Sequence, residues 1–295
     1  MLAPVLLFPG QGAEAVGMSR GWERVDEWAA ALEEAEGHCG QPLRAWMASG
    51  PEEELRAQRH APNAVIAHSV GVYRAHRARG LALPAAAAGH SAGYFSALVA
   101  AGAVSLPAVL DLIRHTEDLA DARFPPGSMG MAFVVGLSPG ELDLQLGALP
   151  ALARSNINGR ASFTASGPAE DLDLLVERCQ ALGARAGRLP VRQPLHGPHM
   201  TPLLPDLSRR LAGIRPAPPR FPLCSGRDGR LILEGGEAWE EAIASVALPV
   251  DWIRVVAGLA SFGGEWLECG PGASLARLTR WLDRQRAVRS LDPPE

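Results

Sequence analysis

Gly89-His90-Ser91-Ala92-Gly93 lies between an apolar run, Leu83 to Ala88, and a run from Ala92 to Val104 that reads as helix. A serine at a sharp strand-to-helix turn is lifted clear of its neighbours, and the two glycines let the backbone bend without a Cβ clash. The start of the following helix offers backbone N–H groups and the positive end of its dipole to a developing oxyanion. The box therefore reads as a nucleophilic serine suited to acyl transfer.

Such a serine needs a base, and the chain carries eight histidines. His90 precedes the serine, and adjacent residues at an elbow point apart. His196 lies in the irregular stretch Arg192-Gln193-Pro194-Leu195-His196-Gly197-Pro198-His199-Met200 and is the expected general base. His196 and His199 also form an H-x-x-H pair. Pro198 between them argues against helical ligand spacing and no third ligand is evident nearby, so no metal is expected. The loop Pro9-Gly10-Gln11-Gly12, with Ala15, has two readings. As a loose G-x-G-x-x-A it would bind a dinucleotide, which requires a second strand ending in an acid about 20 residues on. Trp22 to Glu36 reads as helix instead. The other reading is a glycine-rich loop that turns a backbone N–H toward Ser91 as a second oxyanion donor.

Outward from these motifs the pattern is α/β. Val5–Phe8 reads as a buried strand, and Trp22–Ala35, Ala61–Arg79 and Ala108–Ala122 as helices. Pro125-Pro126-Gly127 stops the last of these. Then come strand Met131–Val135, helix Pro139–Leu146, strands Leu152–Asn156 and Ser162–Ala165, helix Pro168–Leu182 and strand Ala184–Pro190. This is the ferredoxin-like order. The first unit resumes near Pro194, with helix Pro202–Ile214, a strand near Phe221–Ser225, helices Ala238–Val246 and Asp251–Phe262, strand Trp266–Glu268 and helix Ser274–Gln285. The expectation is a parallel-sheet α/β subdomain from residues 1–126 and 194–295, with a small ferredoxin-like subdomain at 127–193.

Composition sets outer limits. The chain has 295 residues, 47% hydrophobic and 20% charged, as in an ordinary globular protein. Its net charge of −4 gives no reason to expect nucleic acid. All 28 basic residues are arginine. Cys39, Cys179, Cys224 and Cys269 are scattered, with no C-x-x-C pair, which fits a reduced, cytoplasmic protein. No signal peptide is evident, and no apolar run approaches the ~20 residues that cross a bilayer.

Phe8-Pro9-Gly10-Gln11-Gly12, the Ser91 box, Leu195-His196-Gly197-Pro198-His199-Met200 and Gly270-Pro271-Gly272 stand in the order and spacing of the malonyl-CoA:acyl-carrier-protein transacylases. Ser155-Asn156-Ile157-Asn158-Gly159 also resembles that family's small-subdomain segment. The resemblance covers nearly the whole chain. It implies an α/β-hydrolase-like core with a ferredoxin-like insertion, a Ser91–His196 dyad and a ping-pong route through acyl-Ser91. It implies an oxyanion hole from the backbone N–H groups of Gln11 and Ala92. Aligning Leu248-Pro249-Val250-Asp251-Trp252 puts a histidine-orienting carbonyl near Ser245. No cofactor is implied beyond the phosphopantetheine that carries the substrate. The implied partner is an acyl carrier protein, with Arg154, Arg160 and Arg192 as candidate contacts at the rim between the subdomains.

The departures concern the acyl pocket, expected to involve His90, Tyr94, Thr116, Ala120 and Leu195. Malonyl-specific members resemble one another in a helix pattern Leu-x-x-Leu-Arg-Gly-x-Leu-Met, whose arginine pairs with the malonyl carboxylate. Leu112 to Ala120 laid on that pattern puts Thr116 at the arginine and Ala120 at the methionine. Arg114 is two positions away, about 200° round the helix, and Arg123 about 10 Å further along it. Tyr94 replaces the usual glutamate after the elbow. The expectation is an acyltransferase for a non-malonyl group, of the kind used in polyketide or related specialised pathways. The alternatives are a thioester hydrolase on the same scaffold, a malonyl transacylase with its arginine supplied elsewhere, and a catalytically silent docking module.

Overall fold

The run Val5–Phe8 forms a central strand whose four side chains are all fully buried. The protein is described here by a computed structural model covering residues 2–293. In chain order the strands among these residues are β1 (Val5–Phe8), β2 (Ala86–Gly89), β3 (Met129–Val135), β4 (Ala153–Gly159), β5 (Ser162–Pro168), β6 (Arg185–Arg188), β7 (Leu223–Cys224), β8 (Leu231–Ile232), β9 (Val250–Asp251), β10 (Trp266–Glu268) and β11 (Val288–Ser290). The larger sheet has the order β11-β10-β1-β2-β7-β8. It is parallel except for β8, which is antiparallel at one edge. A parallel strand covered on both faces has no polar side, hence the unbroken apolar run of β1.

Because successive side chains alternate across a strand, β1 serves two cores. Leu6 and Phe8 pack with residues of helices Asp26–Cys39, Ala61–Ala78, Gly93–Ala100 and Leu106–Arg123. Val5 and Leu7 pack on the opposite face against Trp252, Val255 and Leu275 of helices Trp252–Leu259 and Ser274–Leu282. The result is the α/β class expected, with helices on both faces of a large, mainly parallel sheet.

The second sheet is smaller, ordered β6-β3-β5-β4-β9. Its first four strands are antiparallel neighbours, joined in the strand-helix-strand-strand-helix-strand order. Helices Pro139–Gly147 and Ala169–Ala181 bury Leu142, Leu172 and Leu175 against Phe163 and Ala165. Ser138 and Glu141 form a reciprocal capping box at the start of the first of these helices. The fifth strand, β9, comes from the C-terminal part of the chain and pairs in parallel with β4. Sequence reading starts a helix at Asp251, whereas the structure starts it at Trp252 and uses Val250–Asp251 to tie the two sheets together.

Other boundaries shift for local reasons. The first helix begins at Asp26 rather than Trp22 and ends on Gly40 in the left-handed region. The helix expected at Pro202–Ile214 is a 3-10 turn, Pro198–Leu203, followed by a short α-helix, Leu204–Arg210. Pro202 and Pro205 lack the N–H groups a longer α-helix would need. Helices Leu43–Ser49 and Glu52–Arg56 are too short to show a period in sequence. Among the described residues all four cysteines are unpaired, and no helix is long and apolar enough to cross a membrane.

Glycine spacing offers a direct check on this packing. A Cβ on Gly93 would lie 2.0 Å from the Phe8 carbonyl oxygen, whereas one on the helical Gly140 would meet nothing within 4 Å. Gly93→Ala should therefore lower unfolding free energy by about 1–3 kcal/mol, as overpacking does. Gly140→Ala should raise it by roughly 0.5–1 kcal/mol. Urea unfolding of the two variants measures both. Equal stability of Gly93→Ala and wild type would contradict the close approach.

Candidate active site

The turn between β2 and helix Gly93–Ala100 holds Ser91 at φ 53°, in the left-handed region. A non-glycine residue there costs about 1–3 kcal/mol and persists only when its surroundings dictate it. Three glycines provide that constraint. A Cβ on Gly89 would sit 2.0 Å from the carbonyl carbon of Gly93, and one on Gly93 would strike Phe8. A Cβ on Gly10 would lie 2.3 Å from the His90 carbonyl oxygen. The loop after β1 and the serine elbow can thus press together as bare backbone. One consequence is that Gln11 and Ala92 line the same cavity as Ser91.

His196 arrives from the far side of the chain, also with positive φ, 58°. Its backbone N–H donates to the Val246 carbonyl at 2.8 Å. Its ring is 5% exposed and lies between the elbow and the turn after helix Gly235–Ser245. Nδ1 lies 2.7 Å from the Ser245 carbonyl oxygen and 3.3 Å from that of Leu248. A carbonyl only accepts, so Nδ1 carries the proton and donates. Nε2 is then the bare nitrogen, and it lies 2.7 Å from Ser91 Oγ, whose hydroxyl donates to it. Burial is the main cause that lowers the His196 pKa to about 4, opposed by the carbonyl at Ser245. The imidazole is neutral at pH 7 and able to take a proton. Expected near Ser245, the orienting carbonyl sits at that residue, and Leu248 adds a second acceptor.

The amides of Gln11 and Ala92 have no hydrogen-bond partner among the described residues. Two unpaired N–H groups flanking a serine hydroxyl can receive the oxyanion of a tetrahedral intermediate. His90 has a different place. Its Nε2 is 2.7 Å from Asn158 Oδ1, so it ties the elbow to β4 of the smaller sheet. It lines a wide cleft on the outer side of Ser91 rather than the inner cavity. His199 Nε2 donates to the Ala151 carbonyl oxygen at 2.8 Å, apart from His196.

The inner cavity has a volume of about 60 Å³. Thr116 and Leu195 line it, as expected, and so do Gln58, Glu117 and Gln193, which the sequence reading did not single out. No arginine lines it among the described residues. Arg114 is exposed and paired with Asp111 at 2.8 Å, and Arg123 is exposed at the end of its helix. Besides His90, two more expected pocket residues are corrected. Ala120 is fully buried in the core one turn below Thr116 and does not reach the cavity. Tyr94 is not in the lining of this cavity: its hydroxyl donates to the Ala238 carbonyl, and it lines a small void of about 10 Å³ together with Ser91, Arg227 and Ser245. Helical register fixes a side chain's direction but not its depth.

Glu117 is 5% exposed and its Oε1 is buried without a hydrogen-bond partner. Burial raises its carboxyl to about 8, partly offset by the Arg59 guanidinium. A charged residue on the buried face of helix Leu106–Arg123, one turn from Ile113, is the signal that could have flagged it. The outer cleft has a volume of about 710 Å³ and lies between the smaller sheet and helix Ser274–Leu282. Arg160, Arg185, Arg277 and Trp281 line it, and Trp281 is 82% exposed. Of the three arginines expected at the rim, Arg160 is there. Arg192 lies exposed on the other side of the site, with its guanidinium 3.7 Å from Asp121. Arg154 is a correction: it packs over the Phe163 ring and pairs with Asp143, on the helix-covered face of the smaller sheet.

A strained serine elbow at the end of a parallel strand, a neutral histidine and two free amides define the chemistry of a serine acyltransferase. The chain belongs to the acyl transferase domain family, whose signature spans residues 5–244. The malonyl CoA-acyl carrier protein transacylase of Escherichia coli O157:H7 is 31% identical over 98% of this chain and 95% of its own. The crystal structure of an acyl-carrier-protein S-malonyltransferase from Burkholderia pseudomallei 1710b superposes with a TM-score of 0.92 at 30% identity, covering 99% and 97% of the two chains. A type II PKS acyl-carrier protein in complex with its malonyl-transacylase provides a further match, with a TM-score of 0.89 at 28% identity, covering 98% and 94%.

Ser91→Ala should abolish acyl-enzyme formation, read by intact-protein mass after incubation with an acyl thioester. His196→Ala should slow acylation by about a thousandfold or more. With His196 held near 4, acylation should be flat from pH 6 to 8 and fall only as the ring protonates toward pH 4. A profile with its acid limb near pH 7 would contradict a desolvated, neutral histidine.

Proposed function

We propose that the chain transfers a non-malonyl acyl group between thioester carriers through an ester on Ser91. In this reading Ser91 Oγ attacks the thioester carbonyl as His196 Nε2 takes its proton. The amides of Gln11 and Ala92 hold the oxyanion. The carrier thiolate leaves with the proton from His196, giving acyl-Ser91. An incoming carrier thiol then yields its proton to His196, attacks the ester, and Ser91 recovers the proton. The 2.7 Å contacts from His196 to Ser91 and Ser245 support these roles.

The observation that carries the choice of acyl group is the arginine-free lining of the inner cavity. A malonyl carboxylate there would be buried with no cation, at a cost of several kcal/mol. The second reading, malonyl transfer, is favoured by the activity for which the relatives are named. It would require Arg59 or Arg192 to leave Asp118 and Asp121, with which they pair at 2.6–3.7 Å, and enter the cavity.

The carriers in this reading are an acyl carrier protein and, as donor, that protein or CoA. The relatives named for acyl carrier proteins support it. So does the outer cleft, where Arg160, Arg185 and Arg277 could meet phosphate and acidic side chains. We assign residues 127–193 as the small subdomain flanking this cleft. A cytoplasmic setting and a specialised, polyketide-type pathway belong to the same proposal.

Competition between malonyl-CoA and neutral acyl-CoA for Ser91 tests it. A penalty of ~3 kcal/mol corresponds to about a hundredfold preference for the neutral group. Thr116→Arg should shift loading toward malonyl, in part only, because a guanidinium needs supporting partners. Efficient malonyl loading by the unaltered protein would reject the proposal in favour of the second reading.

A further inference from the structure

The polar wall of the inner cavity includes acceptors that have no partner. Thr116 donates its only hydroxyl proton to the Leu112 carbonyl at 2.8 Å, leaving lone pairs for the cavity. Glu117 Oε1 and Gln193 Oε1 are both buried without partners, on side chains that are 5% and 2% exposed. Gln193 Nε2 is directed to Asp121 Oδ1 at 3.5 Å, so its carbonyl end is the one left over. Buried polar atoms without partners are uncommon and costly, about 1–3 kcal/mol each. Two on the wall of one cavity, next to a nucleophile, indicate that the missing partner comes with the substrate.

We infer that the acyl group bears a hydrogen-bond donor, a hydroxyl or an amine, a few atoms beyond its thioester carbonyl, and that Glu117 reads it. This rests on the proposal that the cavity beside Ser91 receives the acyl chain. A volume of about 60 Å³ holds roughly five non-hydrogen atoms. That matches a short acyl chain with one polar substituent. An amine can donate to Glu117 and Gln193 together and a hydroxyl, with its one proton, to one of them, whereas an alkyl chain of the same length would seal both off unpaired. A site built to bond a substrate polar group rejects the analogue that lacks it more strongly than an apolar pocket rejects an added one. Of the flanking charges, Arg59 and Arg192 are engaged by Asp118 and Asp121. Glu117 is thereby left as the acid without a partner.

Single-turnover loading of Ser91 from butyryl-, 3-hydroxybutyryl- and 3-aminobutyryl-pantetheine, followed by intact mass, tests the inference. The hydroxy or the amino compound should load at least tenfold faster than butyryl. Glu117→Leu should bring that ratio to within about twofold of one. Glu117→Gln separates the two donors: it keeps an acceptor and should retain a hydroxyl preference, but it removes the ionisable carboxyl that an ammonium would draw into its charged form and should lose an ammonium preference. Wild-type loading of butyryl at an equal or greater rate would overturn the role of Glu117 while leaving Ser91 as the acyl site. Failure of all three compounds to load would overturn the underlying proposal as well.

Discussion

The approach of Gly93 to the end of β1 is the constraint on which the site depends. The space a Cβ would need there is occupied by the Phe8 carbonyl, and the matching space at Gly89 by Gly93 itself. With no side chains in the way, helix Gly93–Ala100 seats directly on the strand ends. Ser91 is then forced through the left-handed region. The same compression brings Gly10 against His90, and Gln11 and Ala92 line one cavity with Ser91. A helix seated an ångström further out would relax the serine and separate the two amides. In the proposed mechanism, the strain at Ser91 and the gap that would receive an oxyanion are one feature seen from two sides.

The second constraint is electrostatic. A histidine buried to 5% exposure can stay neutral only if its own N–H is satisfied, and the carbonyls at Ser245 and Leu248 do this without adding charge. A carboxylate in that position would raise the ring's pKa; a neutral carbonyl orients it with less effect. The inner cavity continues the theme. Its wall carries polar groups without partners but no cation among the described residues. The selectivity proposed for it follows from desolvation more than from shape.

Much of this was legible in the sequence where a motif and its flanks agreed. Gly89 to Gly93 between an apolar strand and a helix could only be a tight turn, and β10 was read at its actual bounds, Trp266–Glu268. The strands β8 and β9 have two residues each and β11 three, too few for an alternation to show. The histidine partners were less visible, because a backbone carbonyl has no residue type to mark it. The pocket was least legible. Thr116, Glu117 and Ala120 share one helix, yet only the first two reach the cavity, since Ala120 lies beneath the surface of the core. Arg154 was a candidate rim residue, but the face it occupies is set by the pleat of β4, which turns it to the Phe163 ring and Asp143.

The fate of the acyl group on Ser91 is the most direct test. Ser91 would be loaded with a short neutral acyl thioester and freed of excess donor. A phosphopantetheinylated acyl carrier protein would then be added, and both proteins followed by intact mass. The expected result is loss of the acyl mass from Ser91 and its appearance on the carrier thiol, at least a hundredfold faster than release to water in the carrier's absence. Release to water at the same rate with and without the carrier would contradict transfer and identify a hydrolase.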